Sequence, residues 1–277
     1  MNWVFLGDSL TEGVGSQRIS YVTELVTQIR SAQRDVNVHE LRLRHVDPQN
    51  FNRDIEVNVA GKLDVDSNRY STDLWLWNLA CEGQTIESDL AWLPLISTLQ
   101  PELVVIFRGS LESIIRPAAF HDGTWPWWVP ASWRGYAAMD PRCYFSTTWW
   151  RKAKQQTLDS AKQRTRLKLL SRSAGKPLMQ LPLLSQHCAT LLRRLHDLKT
   201  RVIVLGLLPV DEMRFPHSPA YFASVNAQLK EIANAEGAEF FDWGSELKAR
   251  DELFYRDGFH PNLAGARALA GILHSHL

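Results

Sequence analysis

Trp3-Val4-Phe5-Leu6-Gly7-Asp8-Ser9-Leu10 lies almost at the start of the chain, and the break in its apolar run at Gly7-Asp8-Ser9 decides the fold. Trp3 to Leu6 is short, apolar and partly β-branched, the pattern of a buried strand. Tyr21 to Arg34 follows with helix-like apolar spacing at Tyr21, Leu25, Val26 and Ile29. A serine on the turn between a central strand and a helix stands at the carboxyl edge of a sheet. There the edge backbone and a helix N-terminus can donate hydrogen bonds to an anion. Ser9 is therefore a candidate nucleophile. An Asp-Ser turn before a helix is also a common N-cap, so the stretch needs support from elsewhere.

That support lies near the other end, in Phe254-Tyr255-Arg256-Asp257-Gly258-Phe259-His260-Pro261-Asn262-Leu263-Ala264-Gly265. A serine hydroxyl loses its proton near neutral pH only with a base beside it, and that base needs an acid to hold its tautomer. Asp257 and His260, three residues apart before a helix, let one turn present both groups. With these two stretches together, the sequence resembles the GDSL (SGNH) family of serine esterases and lipases, from Trp3 to about Leu273.

Apolar runs at Leu74–Ala80, Leu103–Phe107, Arg201–Leu205 and Glu239–Trp243 alternate with helical patterns, which predicts an α/β fold with a parallel sheet and helices on both faces. The resemblance sharpens this to a flavodoxin-like three-layer α/β/α sandwich of strand order 2-1-3-4-5. It implies Ser9 as nucleophile, His260 as general base and acid, and Asp257 as the residue orienting the imidazole. It also implies an oxyanion hole built from the Ser9 and Gly83 N–H groups. A glycine at 83 suits that place because, without a Cβ, its backbone can approach a reacting carbonyl. The same glycine equally serves a tight turn.

The third block departs from the pattern. Arg108-Gly109-Ser110-Leu111-Glu112 follows the clearest buried strand, and Leu111 stands where the family usually carries an asparagine donor. Losing one such donor typically costs on the order of 10²–10³ in rate. Ser110 or Arg108 supplies the donor, or the register differs, or the reaction does not need it; all three readings stay open. Arg108 also suits a substrate carboxylate or phosphate, or equally a surface ion pair. Asp8, Arg108, Leu111, Trp127 and Trp128 make up the candidate substrate-binding set.

The 277 residues, with 45% hydrophobic and 22% charged side chains, suit one α/β domain over 1–277 with insertions at about 36–73 and 116–180. Val36 to Arg44 and Ile55 to Val59 alternate, and we read 36–73 as an antiparallel excursion or a long decorated loop. Six of the eleven tryptophans fall between Trp125 and Trp150, which reads as an insertion over the catalytic edge or a satellite core of its own. Indole faces stack on sugars and cover acyl chains. Arg151 to Lys176 is a basic stretch, either a solvated helix face or a site for a phosphorylated acyl carrier, an anionic glycan or an anionic surface. Nucleic acid is not expected, since no recognised module accompanies the charge and the formal net charge is +1.

No cofactor is expected, and no cluster has metal-ligand spacing. A first strand beginning at once after Met1 and three widely spaced cysteines, Cys81, Cys143 and Cys188, suit a cytoplasmic protein without a signal peptide. The function expected is hydrolysis of an O-acyl ester, for example deacetylation of a sugar or polysaccharide component. The alternatives are acyl transfer to a sugar or other alcohol, and a noncatalytic binding protein on the same fold.

Overall fold

Six parallel strands form the centre of the molecule. The computed structural model describes residues 1–14, 19–33, 36–42, 73–134, 139–140, 148–247 and 251–277. In chain order its elements begin with β1 (Asn2–Gly7), α1 (Ser9–Glu12), α2 (Tyr21–Ala32), β2 (Val38–Arg42) and β3 (Leu74–Asn78). Next come α3 (Ile86–Asp89), α4 (Leu93–Leu99), β4 (Leu103–Phe107), α5 (Ser110–Ser113), β5 (Ile115–Arg116), α6 (Ala118–Asp122) and α7 (Trp149–Leu170). The chain closes with β6 (Lys176–Pro177), α8 (Leu181–Asp197), β7 (Arg201–Leu205), α9 (Ser218–Ala235), β8 (Glu239–Phe241), α10 (Trp243–Glu246) and α11 (Leu263–His276).

The sheet order is β2-β3-β1-β4-β7-β8, and every pair in it is parallel. Strands β3-β1-β4-β7-β8 follow the expected 2-1-3-4-5 order, and β2 adds a sixth at the edge beside β3. This corrects one expectation: Val38–Arg42 is a parallel edge strand, paired Val38 to Leu74 through Arg42 to Asn78, and not part of an antiparallel excursion. Alternation reports a half-covered strand but carries no sign of its direction. Residues 43–72, including the Ile55–Val59 run, lie outside the described residues.

Helices cover both faces of the sheet, α2 packing against α11 and α8 against α9. The β1 and β4 side chains between them are almost fully buried, so the sheet's middle is the core. Trp243 stands edge-on to both Tyr21 (centroids 5.0 Å apart) and Phe107 (4.9 Å). Its indole N–H donates to the Gly206 carbonyl at 2.7 Å. Each such ring pair contributes about 0.5–1.5 kcal/mol beyond its buried area. The cluster fixes the floor on which α1 rests, because the Tyr21 hydroxyl also reaches Thr11 at 3.2 Å.

The second insertion leaves the core through a two-residue stem, with β5 antiparallel to β6 and Ile115 opposite Pro177. Beyond the stem, Val129, Met139 and Leu169 form a small core of their own, with Trp125, Trp128 and Trp133 packed on it. Among the described residues, no helix is long and apolar enough to cross a membrane.

Candidate active site

Ser9 begins α1 directly after β1. The turn is as tight as the sequence suggests: a Cβ on Gly7 would fall 2.0 Å from the Thr11 Oγ1, so only glycine fits there. Asp8 caps the short helix, its carboxylate accepting the Leu10 N–H at 2.9 Å. The hydroxyl of Ser9 lies 3.0 Å from the Nε2 of His260. The Nδ1 of His260 lies 2.8 Å from the Oδ2 of Asp257.

The loop before α11 builds the second half of this chain. Asp257 is buried, and its Oδ1 accepts the N–H groups of Phe259 (2.9 Å) and His260 (3.0 Å). Both carboxylate oxygens are therefore held, one by the loop backbone and one by the imidazole. The Tyr255 N–H donates to the His260 carbonyl at 2.8 Å, and Asn262 caps α11 by accepting the Gly265 N–H. The imidazole thus hangs from a loop pinned at both ends. Ser9, His260 and Asp257 come from opposite ends of the sequence and meet at the carboxyl edge of the sheet.

The turn after β3 lies against α1. Asn78 is buried; its amide donates to the Thr11 carbonyl at 3.1 Å and its oxygen accepts the Ala80 N–H at 3.2 Å. The Glu82 N–H donates to the Glu12 carboxylate at 2.6 Å, tying the turn to α1. Gly83 has φ +79°, a conformation that side chains disfavour, and the position where its Cβ would lie is open space. Among the described residues, neither the Ser9 nor the Gly83 N–H donates to a backbone carbonyl outside the regular elements.

Two members of the expected substrate-binding set, Arg108 and Asp8, are buried in polar contacts. Arg108 is 1% exposed, and its guanidinium grips Asp89 with N–H···O distances of 2.7 and 2.5 Å. It also donates to the backbone carbonyl of Gln84 at 2.8 Å. Arg108 is thus neither a surface ion pair nor a free anion binder; it anchors the residue after Gly83 from beneath. Asp8 is equally enclosed and acts as a cap. Burial raises its carboxyl above the ordinary range, against the pull of Arg108.

Ser110 is buried at the start of α5, and Leu111 beside it is half-buried. The Leu111 carbonyl accepts an N–H of Arg116 at 3.0 Å. Trp128 belongs to the satellite core, with the Lys168 ammonium 4.9 Å from its ring centroid, and Trp127 is 91% exposed. Neither indole makes a contact that would place it at Ser9.

The sequence reading passed over Asp89 and gave Glu112 no role. Asp89 stands three residues after Ile86 and four before Leu93, on the apolar stripe of its segment. A carboxylate there must find a buried cation, and that was the available signal. Glu112 is buried and accepts the Ile86 N–H at 2.7 Å, while its Oε2 has no partner among the described residues. Burial pushes its carboxyl up to about 7, opposed by Arg108 and by the Ile86 N–H. Asp8, Asp89 and Glu112 all feel the charge of Arg108. Among the described residues, no group of three or more His, Cys, Asp or Glu side chains is arranged to hold a metal ion.

A model of the GDSL-like lipase/acylhydrolase family matches residues 5–268. Among solved structures, a lipase/acylhydrolase from Enterococcus faecalis aligns with TM-score 0.54 at 15% identity, covering 100% of this chain and 95% of that one. The acetylxylan esterase Axe2 from Geobacillus stearothermophilus aligns with TM-score 0.53 at 14% identity, covering 98% and 91%. LAE5, an α/β hydrolase from the metagenome of Lake Arreo, aligns with TM-score 0.54 at 14% identity, covering 99% and 93%. At these identities the likeness is one of fold. No curated protein matches the chain.

Proposed function

The chain belongs to the GDSL-like lipase/acylhydrolase family and is a serine esterase of that family, and from this premise we propose that it hydrolyses O-acyl esters through an acyl group carried on Ser9. The observation that supports this reading is the hydrogen-bonded chain from Ser9 to His260 to Asp257, at 3.0 and 2.8 Å.

In the proposed reaction the Ser9 hydroxyl attacks the acyl carbonyl and gives its proton to the Nε2 of His260. Asp257 keeps the proton on Nδ1, so that Nε2 presents a lone pair to the serine, and stabilises the imidazolium that forms. The Ser9 and Gly83 N–H groups donate to the oxyanion. Collapse of the tetrahedral species releases the alcohol, which takes its proton from His260. Water then attacks the acyl-serine in the reverse sense, with His260 again as base, and frees the acid. Arg108 and Asp89 act through the turn: by fixing Gln84 they fix the direction of the neighbouring Gly83 N–H.

The substrate proposed is an acetylated sugar or polysaccharide component. Release of acetate from acetylated xylo-oligosaccharides, compared with release of acid from longer-chain nitrophenyl esters, tests the assignment. Acetate release at the higher kcat/KM supports it. A preference for long chains replaces the sugar ester with a lipid ester. Recovery of a new ester on an added alcohol, in place of free acid, replaces hydrolysis with acyl transfer.

A further inference from the structure

α7 belongs to the insertion, yet one of its side chains leaves the insertion for the main body. Arg166 is wholly buried, and burying a guanidinium is costly unless its N–H groups find partners. It donates to the Ile115 carbonyl of the β5 stem at 2.8 Å and to the Arg214 carbonyl at 2.7 Å. Its Nε stands 3.6 Å from the carboxylate of Asp140, which also accepts from Arg116 at 3.1 Å. Gln163, three residues earlier on α7, donates to the same Arg214 carbonyl at 2.9 Å and to that of Met213 at 3.2 Å.

Arg214 lies in residues 206–217, the loop that joins β7 to α9. This loop packs on the one that carries Asp257 and His260, and two contacts join them. In the first, Arg214 and Asp211 form an ion pair at 2.5 Å, and each reaches to about 3 Å from where a Cβ on Gly258 would stand. Gly258 has φ +66°, so both its conformation and its neighbours call for glycine. In the second, the buried ring of Phe215 lies 5.5 Å from that of Phe259, which stands edge-on to the His260 imidazole at 5.1 Å. The Arg166 guanidinium lies 5.6 Å from the Phe215 centroid, so it holds this segment by backbone and ring together. Gly258 and Phe259 are the two residues that separate Asp257 from His260.

We propose that Arg166 is a positioning residue for His260: through the Arg214 carbonyl and the Phe215 ring it sets how the loop holds the imidazole between Asp257 and Ser9. The proposal rests on the reading of His260 as general base. The insertion has other means of holding itself together, in the β5–β6 stem and in the core of Val129, Met139 and Leu169. The bonds from Arg166 and Gln163 to the Arg214 carbonyl add a tie to the catalytic loop. A reacting group displaced by about 1 Å can cost on the order of 10² in rate. His260 serves both formation and breakdown of the acyl-serine, so its displacement slows the two steps together and leaves KM nearly unchanged.

The test is steady-state kinetics on a soluble acetate ester, with kcat expressed per folded molecule from circular dichroism and thermal unfolding of the same samples. Arg166→Met is expected to lose about tenfold or more in kcat with KM nearly unchanged. Arg166→Lys, whose ammonium still donates to the Arg214 carbonyl, recovers part of that loss. Gln163→Glu keeps the shape of a half-buried side chain and turns an acceptor toward two carbonyls; it lowers kcat in the same manner and decides the matter alone if Arg166→Met does not fold. Val129→Ala loosens the satellite core without touching Arg166 or its partners, and leaves kcat per folded molecule unchanged. Full kcat in folded Arg166→Met or Gln163→Glu, a rise in KM in place of the fall in kcat, or an equal fall in Val129→Ala overturns the proposal. His260→Ala separates the two levels of the account. Turnover that vanishes in it while the Arg166 and Gln163 variants stay fully active removes the positioning role and leaves the base. Turnover that survives in it overturns both.

Discussion

One oxygen of Glu112 accepts the Ile86 N–H at 2.7 Å, while the other, also sealed from water, meets no donor among the described residues. A buried carboxylate held by a single backbone bond is a poor place for a full negative charge. Asp8 and Asp89 lie close enough for their charges to bear on the same cluster, and Arg108 is the cation that all three carboxyls feel. The turn that carries Gly83 therefore rests on a group whose charge changes near neutral pH.

Stability should consequently fall as pH rises. Burial lifts the Glu112 carboxyl from 4.5 to about 7, so between these values the folded chain holds a proton that the unfolded chain has released. Folding is then favoured most at or below the lower value, and the advantage is lost by the time pH passes 7. The loss is roughly 3 kcal/mol. Glu112→Gln keeps an acceptor for the Ile86 N–H but cannot ionise. Urea unfolding at pH 5 and pH 8 should show a smaller loss in the variant than in the parent. Equal losses would mean that Glu112 carries no such proton.

Removing Arg108 leaves Asp89 buried without its cation. Arg108→Ala should cost about 3–5 kcal/mol in chemical denaturation. The Arg108→Ala/Asp89→Ala double variant should cost less than the sum of the singles, because neither charge is then stranded. Strict additivity would show that the pair is not coupled.

Leu111 offers no hydrogen to an oxyanion, where the family pattern carries an asparagine. Leu111→Asn is expected to raise kcat by about tenfold or more with little change in KM, because the new donor acts on charge that exists only in the transition state. A rise in KM with no gain in kcat would show that the leucine side chain serves substrate binding instead, and an unchanged kcat that no donor is missing.

Asp257→Asn tests the tautomer. An amide nitrogen in place of the Oδ2 would face the Nδ1–H of His260 and drive the proton to Nε2, where it blocks transfer from Ser9. A loss of about 10³–10⁴ in kcat with little loss of stability is expected from steady-state kinetics and thermal unfolding. A loss under about tenfold would place the essential acid elsewhere.

Much of this was legible in the chain because the decisive signals are local. Gly7-Asp8-Ser9 and Asp257-Gly258-Phe259-His260 each fit within one turn, and β-branched runs such as Leu103-Val104-Val105-Ile106-Phe107 mark a doubly covered parallel sheet. What escaped depends on pairing across distance. Arg108 reads as a surface cation until Asp89, 19 residues earlier, is seen to enclose it. The β5–β6 stem is two residues on each side, too short for any periodicity to register. The tryptophans divide between a satellite core (Trp125, Trp128, Trp133) and solvent (Trp127, Trp149, Trp150), and aromatic content alone does not tell these apart.

The central claim is that Ser9 carries the acyl group. Intact-mass and peptide mass spectrometry after rapid acid quench of the enzyme turning over an activated acetate ester tests it most directly. The account predicts one added acetyl group, mapped to the peptide holding Ser9, and its complete loss together with turnover in Ser9→Ala. An adduct at another residue, or turnover that survives in Ser9→Ala, would contradict it.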